Sequence, residues 1–78
     1  MPKQKEVMFC NLEAEISRAQ LTRADVAERL YINVGTLRAK LYGKSDFTLT
    51  EMVTLKAWLE FKTGRKLTLD YLFTNEEA

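Results

Sequence analysis

The sequence predicts an all-α domain, a compact bundle of four to five short helices, and three observations lead there. Apolar residues recur at steps of three and four, the period of a helix face and not of a strand. Residues that cap helices stand directly before those stripes. The only proline is Pro2, so nothing downstream interrupts a helix. The chain has 78 residues, 46% apolar and 29% charged, and no repeat or linker divides it, which fits one small domain over 1–78.

The elements follow in order. Phe9, Leu12, Ile16 and Ala19 form the first stripe, with Glu13, Glu15 and Arg18 off it. Thr22 is a good N-cap with Asp25 at the third helical position, and Val26, Ala27 and Leu30 give the second helix, about 23–30, its apolar face. After Tyr31 and Ile32, Asn33 caps a third helix over about 34–41, in which Leu37 and Leu41 point inward. Gly43 supplies a left-handed position at its end. Thr48 and Glu51 fit a capping box, and Met52, Leu55 and Leu59, with Trp58 beside them, carry a fourth helix to about Lys62, with Gly64 just past it. In the tail, Leu67, Leu69, Tyr71 and Phe73 alternate as a strand does, while Thr68 before Leu69, Leu72 and Phe73 fits a capped helical turn. No partner strand is visible, so helix is favoured. The ends, 1–6 and 75–78, read as short and mobile.

The inventory excludes much chemistry. Without histidine there is no Ser-His-Asp or Cys-His mechanism and no imidazole ligand for a metal. The single Cys10 lies in an apolar stretch and reads as a buried small hydrophobe. Gly35, Gly43 and Gly64 are too far apart for a phosphate-cradling loop. The carboxylates fall on solvated helix faces with no paired cleft. We therefore expect no enzyme: no catalytic residue, metal, cofactor or small-molecule substrate. The longest apolar run, Val7-Met8-Phe9-Cys10, is far short of the roughly 20 residues of a bilayer span. No signal-peptide core follows the charged start, and the expectation is a soluble cytoplasmic protein without a membrane partner.

Two eight-residue helices joined by a three-residue turn match the helix-turn-helix pattern, here about 22–41. Ala27 is the small residue needed where the third helix crosses the second. Leu30, Ile32 and Leu37 would fill the angle between them, leaving Thr36, Arg38 and Lys40 to project outward. The run Leu21-Thr22-Arg23-Ala24-Asp25-Val26-Ala27-Glu28-Arg29-Leu30, then Tyr31-Ile32-Asn33-Val34-Gly35-Thr36-Leu37-Arg38-Ala39-Lys40-Leu41-Tyr42-Gly43-Lys44, resembles the XRE family of phage Cro/CI-type repressors. The stretch Ser45-Asp46-Phe47-Thr48-Leu49-Thr50-Glu51 and the ending Leu69-Asp70-Tyr71-Leu72-Phe73 look like the small Cro-like regulators of phages and prophages, so the resemblance covers about 9–74.

The resemblance implies a five-helix, lambda-repressor-like domain whose third helix enters the DNA major groove, bound as a homodimer to a palindromic operator. Carried over position by position, Val34, Gly35, Arg38 and Ala39 would face the base edges. Arg23 and Asn33 would approach phosphates, and Thr36, Lys40 and Lys44 would grip the flanking backbone. The chain departs from the family where Tyr31 replaces the turn glycine, a strained choice if φ is positive there. Lys56 also stands where a small apolar residue is usual, its stem able to lie along the core. Of the base-facing set, only Arg38 can pair bidentately with guanine, while Val34 and Ala39 offer methyl contacts.

Charge is distributed to match. The whole chain is only +1, but residues 18–44 carry six basic against two acidic side chains, a net +4 that leaves −3 on the remainder. Lys62, Arg65 and Lys66 form a second basic cluster that complements the fourth helix's dipole. Trp58, Phe61, Tyr71, Leu72 and Phe73 exceed what a short tail needs; some close the core, and a part is the candidate dimer face. The expected function is a sequence-specific transcriptional regulator that represses by occupying an operator. The alternative is a helix-turn-helix protein-interaction module, an antirepressor or assembly partner, for which the smooth Val34-Gly35-Ala39 surface would suit a protein groove.

Overall fold

A computed structural model describes residues 9–74; the ends expected to be mobile, 1–6 and 75–78, lie outside the described residues. Five helices run through it: α1 (Cys10–Arg18), α2 (Arg23–Leu30), α3 (Val34–Leu41), α4 (Leu49–Thr63) and α5 (Leu69–Phe73), with no strand among the described residues. The tail is thus helical: the Tyr71 N–H donates to Thr68 Oγ1 at 3.0 Å and opens α5. The same device opens α2, α3 and α4. Thr22 and Thr48 each accept from the N–H three residues on, while Asp25 and Glu51 reach back to the cap N–H. Asn33 Oδ1 accepts from the Thr36 N–H at 2.7 Å. An N-cap worth about 1 kcal/mol fixes where each of these short helices begins.

The first four helices are followed by left-handed residues. Gly43 and Gly64 supply two of them at φ 85° and 72°, but Gln20 and Tyr31 adopt φ 61° with full side chains. At Tyr31 the chain closes through the Ile32 N–H on the Ala27 carbonyl at 3.0 Å, and after Gln20 through the Leu21 N–H on Ile16 at 3.1 Å. Both are the six-to-one bond of a helix terminus that ordinarily takes glycine.

The buried face of α1 holds Leu12 and Ile16; α2 adds Val26, Ala27 and Leu30, α3 Leu37 and Leu41, α4 Leu55 and Leu59, and Leu67 and Leu72 close the far side. Backbones approach pairwise, α1 with α4 and α5, α4 with α2 and α5, and α2 with α3. Phe9, Phe47 and Phe73 meet edge to face or tilted, with ring centroids 5.2–6.0 Å apart, and tie the start of α1, the loop before α4 and the end of α5 together.

Three sequence expectations are corrected. Cys10 is exposed, because Phe9 takes the core position beside it. The proposed dimer face is largely interior: Leu72 is fully buried, Phe73 belongs to the aromatic trio, the Tyr71 hydroxyl is spent inside, and Trp58 lies under the Arg29 guanidinium at 4.4 Å. Only Phe61 stands free. So small a domain needs those rings to finish its core.

The third correction concerns Glu15, expected on the solvated face and found fully buried. Its Oε2 accepts from Arg18 Nη1 at 2.8 Å, Arg65 Nη1 at 2.6 Å and the Tyr71 hydroxyl at 2.9 Å, while Oε1 has no partner among the described residues. Asn11 adds a bond from Nδ2 to the Tyr71 carbonyl at 3.0 Å, so α1 holds α5 from both sides of one tyrosine. Among the described residues no helix is long and apolar enough to cross a membrane.

Burial pushes the Glu15 carboxyl up, but hydrogen bonds from Arg65, Tyr71 and Arg18 outweigh it and hold the group below the ordinary carboxylate range. Glu51 is likewise low, its burial outweighed by the Thr48 N–H and Lys40. Depressed folded-state values mean that this stability is present above the unfolded carboxylate pKa and is lost as pH falls through the folded ones. The melting temperature should therefore hold level down to about pH 5 and fall steadily below about pH 4. Glu15→Gln should cost about 2 kcal/mol at neutral pH and make the acid limb shallower. A limb equally steep in the variant would remove Glu15 as its cause.

Candidate nucleic-acid interface

The outer face of α3 exists because only one side of the helix is apolar. Leu37 and Leu41 are fully buried and anchor it, Ile32 of the preceding turn packs on the same core, and the α3 backbone lies close to α2 alone. Its other side presents Val34, Gly35, Thr36 and Arg38 to solvent, with Ala39 half-buried at the edge. The structure thus brings Val34, Gly35 and Arg38 onto one exposed face that carries no carboxylate. Gly35 has a local reason: a Cβ there would press the Asn33 Oδ1 that caps the helix, at 3.3 Å. A glycine that weakens the helix by about 1 kcal/mol makes room for the cap that starts it.

The residues expected to meet phosphates divide. Thr36 and Lys44 are exposed, and Lys44 takes part in no ion pair among the described residues. Asn33 is exposed too, but its Oδ1 is committed to the cap. Arg23 is only partly exposed; its Nη2 donates to Glu13 Oε2 at 3.1 Å, and its guanidinium sits 5.7 Å from the centre of the Tyr42 ring. Lys40 is turned inward. Its ammonium donates to Glu51 Oε1 at 2.9 Å and to the Asp46 carbonyl at 3.0 Å, with side chains 11% and 15% exposed across the pair. An ammonium so engaged is not available to a phosphate, and Lys40 leaves the expected set. Its position was readable in part: it follows Leu37 by three and precedes Leu41 by one, the inward side of the helix.

Sequence reasoning passed over Tyr42. Two guanidiniums lie close to its ring, Arg23 at 5.7 Å and Arg38 at 5.5 Å from the centroid. The spacing of Arg38 and Tyr42, one helical turn, was the available signal. The ring packs against Arg38, the one arginine on the exposed face of α3. Among the described residues no group of three or more His, Cys, Asp or Glu is placed to hold a metal ion. Compared with known proteins, the chain matches no family, no curated protein and no solved structure.

Tyr31, at the turn between α2 and α3, is 93% exposed and left-handed at φ 61°. The strain of such a position is about 1–2 kcal/mol, and glycine removes it at a smaller entropic cost. Urea unfolding should therefore find Tyr31→Gly more stable by about 0.5–1 kcal/mol. The same measurement on Lys40→Ala should find a loss of about 2–3 kcal/mol, because Glu51 would be left without its partner in a largely buried place. A Lys40→Ala variant as stable as the parent would return that side chain to the surface.

Proposed function

We propose that this chain is a sequence-specific double-stranded DNA-binding transcriptional regulator, a Cro-like repressor that occupies an operator with α3 in the major groove. In this reading α2 and α3 act as a helix-turn-helix. The observation that carries it is the exposed face of α3, free of carboxylates, on which Arg38 stands with Lys44 just beyond the helix. A duplex offers a phosphate about every 1.7 Å along its axis, and a cationic, unpaired face neutralises some of them with release of counterions. Arg38 supplies a bidentate partner for guanine, Val34 a methyl contact for thymine, and the Val34 and Gly35 N–H groups at the start of α3 a place for a phosphate. No step of this reading involves catalysis, a cofactor or a metal.

A second reading has one observation in its favour. Tyr31 and Val34, 93% and 41% exposed, put apolar surface at the very start of α3, as a protein-interaction module would. The two readings differ in salt dependence.

Fluorescence anisotropy on a duplex of about 25 base pairs, titrated from about 50 to 200 mM salt, should give a loss of affinity of about tenfold, as two cations meeting phosphates would. The double variant Arg38→Ala, Lys44→Ala should lower the slope of log affinity against log salt by about 2, and Lys40→Met should leave it unchanged. Arg38→Ala should also relax preference at one base position of a selected operator. No binding at the lowest salt would transfer the assignment to the protein-interaction reading.

A further inference from the structure

The five arginines of the chain are seated in two different ways. Arg18, Arg23 and Arg65 each meet a carboxylate, at 2.6–3.1 Å. Arg29 and Arg38 meet an aromatic ring instead, Trp58 at 4.4 Å and Tyr42 at 5.5 Å from the centroid, and neither joins an ion pair among the described residues. The distinction has physical content. A carboxylate orients a guanidinium but cancels its charge and occupies its donors. A ring orients it through the quadrupole of the π-face and leaves charge and donors free for another partner.

For Arg38 the seat is built from backbone and side chain together. Tyr42 follows it by one helical turn, where side chains are neighbours, and the Tyr42 N–H donates to the Arg38 carbonyl at 2.9 Å as it closes α3. The ring is half-buried and packs on the core, so it is fixed, while Arg38 is exposed. Arg23 approaches the same ring, at 5.7 Å, and its bond to Glu13 at 3.1 Å offsets a charge that would otherwise repel Arg38.

We propose that Tyr42 is a positioning residue for base recognition, its ring holding the Arg38 guanidinium, with its charge uncancelled, ready for a guanine edge. The proposal rests on the DNA-binding reading. A free arginine has many rotamers to lose when it meets a base, and one already placed loses fewer. Tyr42 acts here through Arg38 alone, so it bears on the choice of base and not on the neutralisation of phosphates.

The test has two parts. In the free protein, nuclear Overhauser cross-peaks should join the Tyr42 ring protons to the Arg38 side chain, and their absence overturns the proposal. A duplex of about 25 base pairs, selected by the wild-type protein from a random pool, is then compared with copies in which one G·C pair at a time becomes A·T. Tyr42→Leu should lower the preference for the guanine read by Arg38 about two- to fivefold and leave the salt slope unchanged. Tyr42→Phe, which keeps the ring, should retain the preference. In an Arg38→Ala background, Tyr42→Leu should change it no further. The preference is a ratio of two affinities, so a less stable variant lowers both and leaves the ratio as it was. Wild-type preference in Tyr42→Leu, its loss in Tyr42→Phe, or an effect that persists without Arg38 overturns the proposal and leaves DNA binding standing. Wild-type protein that binds no duplex overturns both.

Discussion

The Glu15 carboxylate is the point on which the packing of α1, α4 and α5 turns. It is fully buried, and it stays ionised because two guanidiniums and a phenol converge on one of its oxygens. Arg65 lies just beyond α4 and Tyr71 within α5, so a single side chain of α1 fixes both the exit from the longest helix and the seat of the shortest. The chain between them is held in turn by Glu60, whose Oε2 accepts from the Leu67 N–H at 2.8 Å. A five-residue helix has no stability of its own in water. Here Leu72 buries it, Phe73 locks its end, and Tyr71 binds it at two points. A buried charge is seldom a net gain over an apolar group, but it tolerates only the arrangement that satisfies it.

The local rules of helix formation were legible in the chain. Thr22, Asn33, Thr48 and Thr68 mark four helix starts, and Gly43 and Gly64 mark two ends, all as their side chains or lack of one would dictate. What was not legible depends on partners far away in sequence. Nothing near Glu15 announces Arg65 or Tyr71, 50 and 56 residues on, and periodicity alone assigns a carboxylate to water. Lys40 was misplaced for the same reason, its partner Glu51 lying across a loop. Gln20 as a left-handed residue has no signal in its own chemistry. Of the candidate site, the exposure of Val34, Gly35, Thr36 and Arg38 follows from the spacing of Leu37 and Leu41, whereas which cations are free depends on tertiary pairing.

That pairing shapes the electrostatics of the proposed interface. With Lys40 tied to Glu51 and Arg23 to Glu13, the positive surface near α3 contracts to Arg38 and Lys44, with Arg29 drawn toward Trp58 on another side. Under the DNA-binding reading, a single domain with so few free cations gains little from phosphates alone, and selectivity falls mainly to Arg38. Its seat against Tyr42 then matters beyond packing, since a guanidinium held in place loses less freedom when it meets a base.

The order of residues along the chain carries a further consequence of the Glu15 cluster. Synthesis delivers α1 first, and its carboxylate emerges long before Arg65 and Tyr71 can reach it. Until they do, α1 has a polar group where its apolar stripe should close, so the early helices cannot seal a core by themselves. A chain cut before Arg65 would keep only the Arg18 contact to that carboxylate. The two ends of the chain are thus bound to one another through a single carboxylate, and the later end cannot be removed without stranding it.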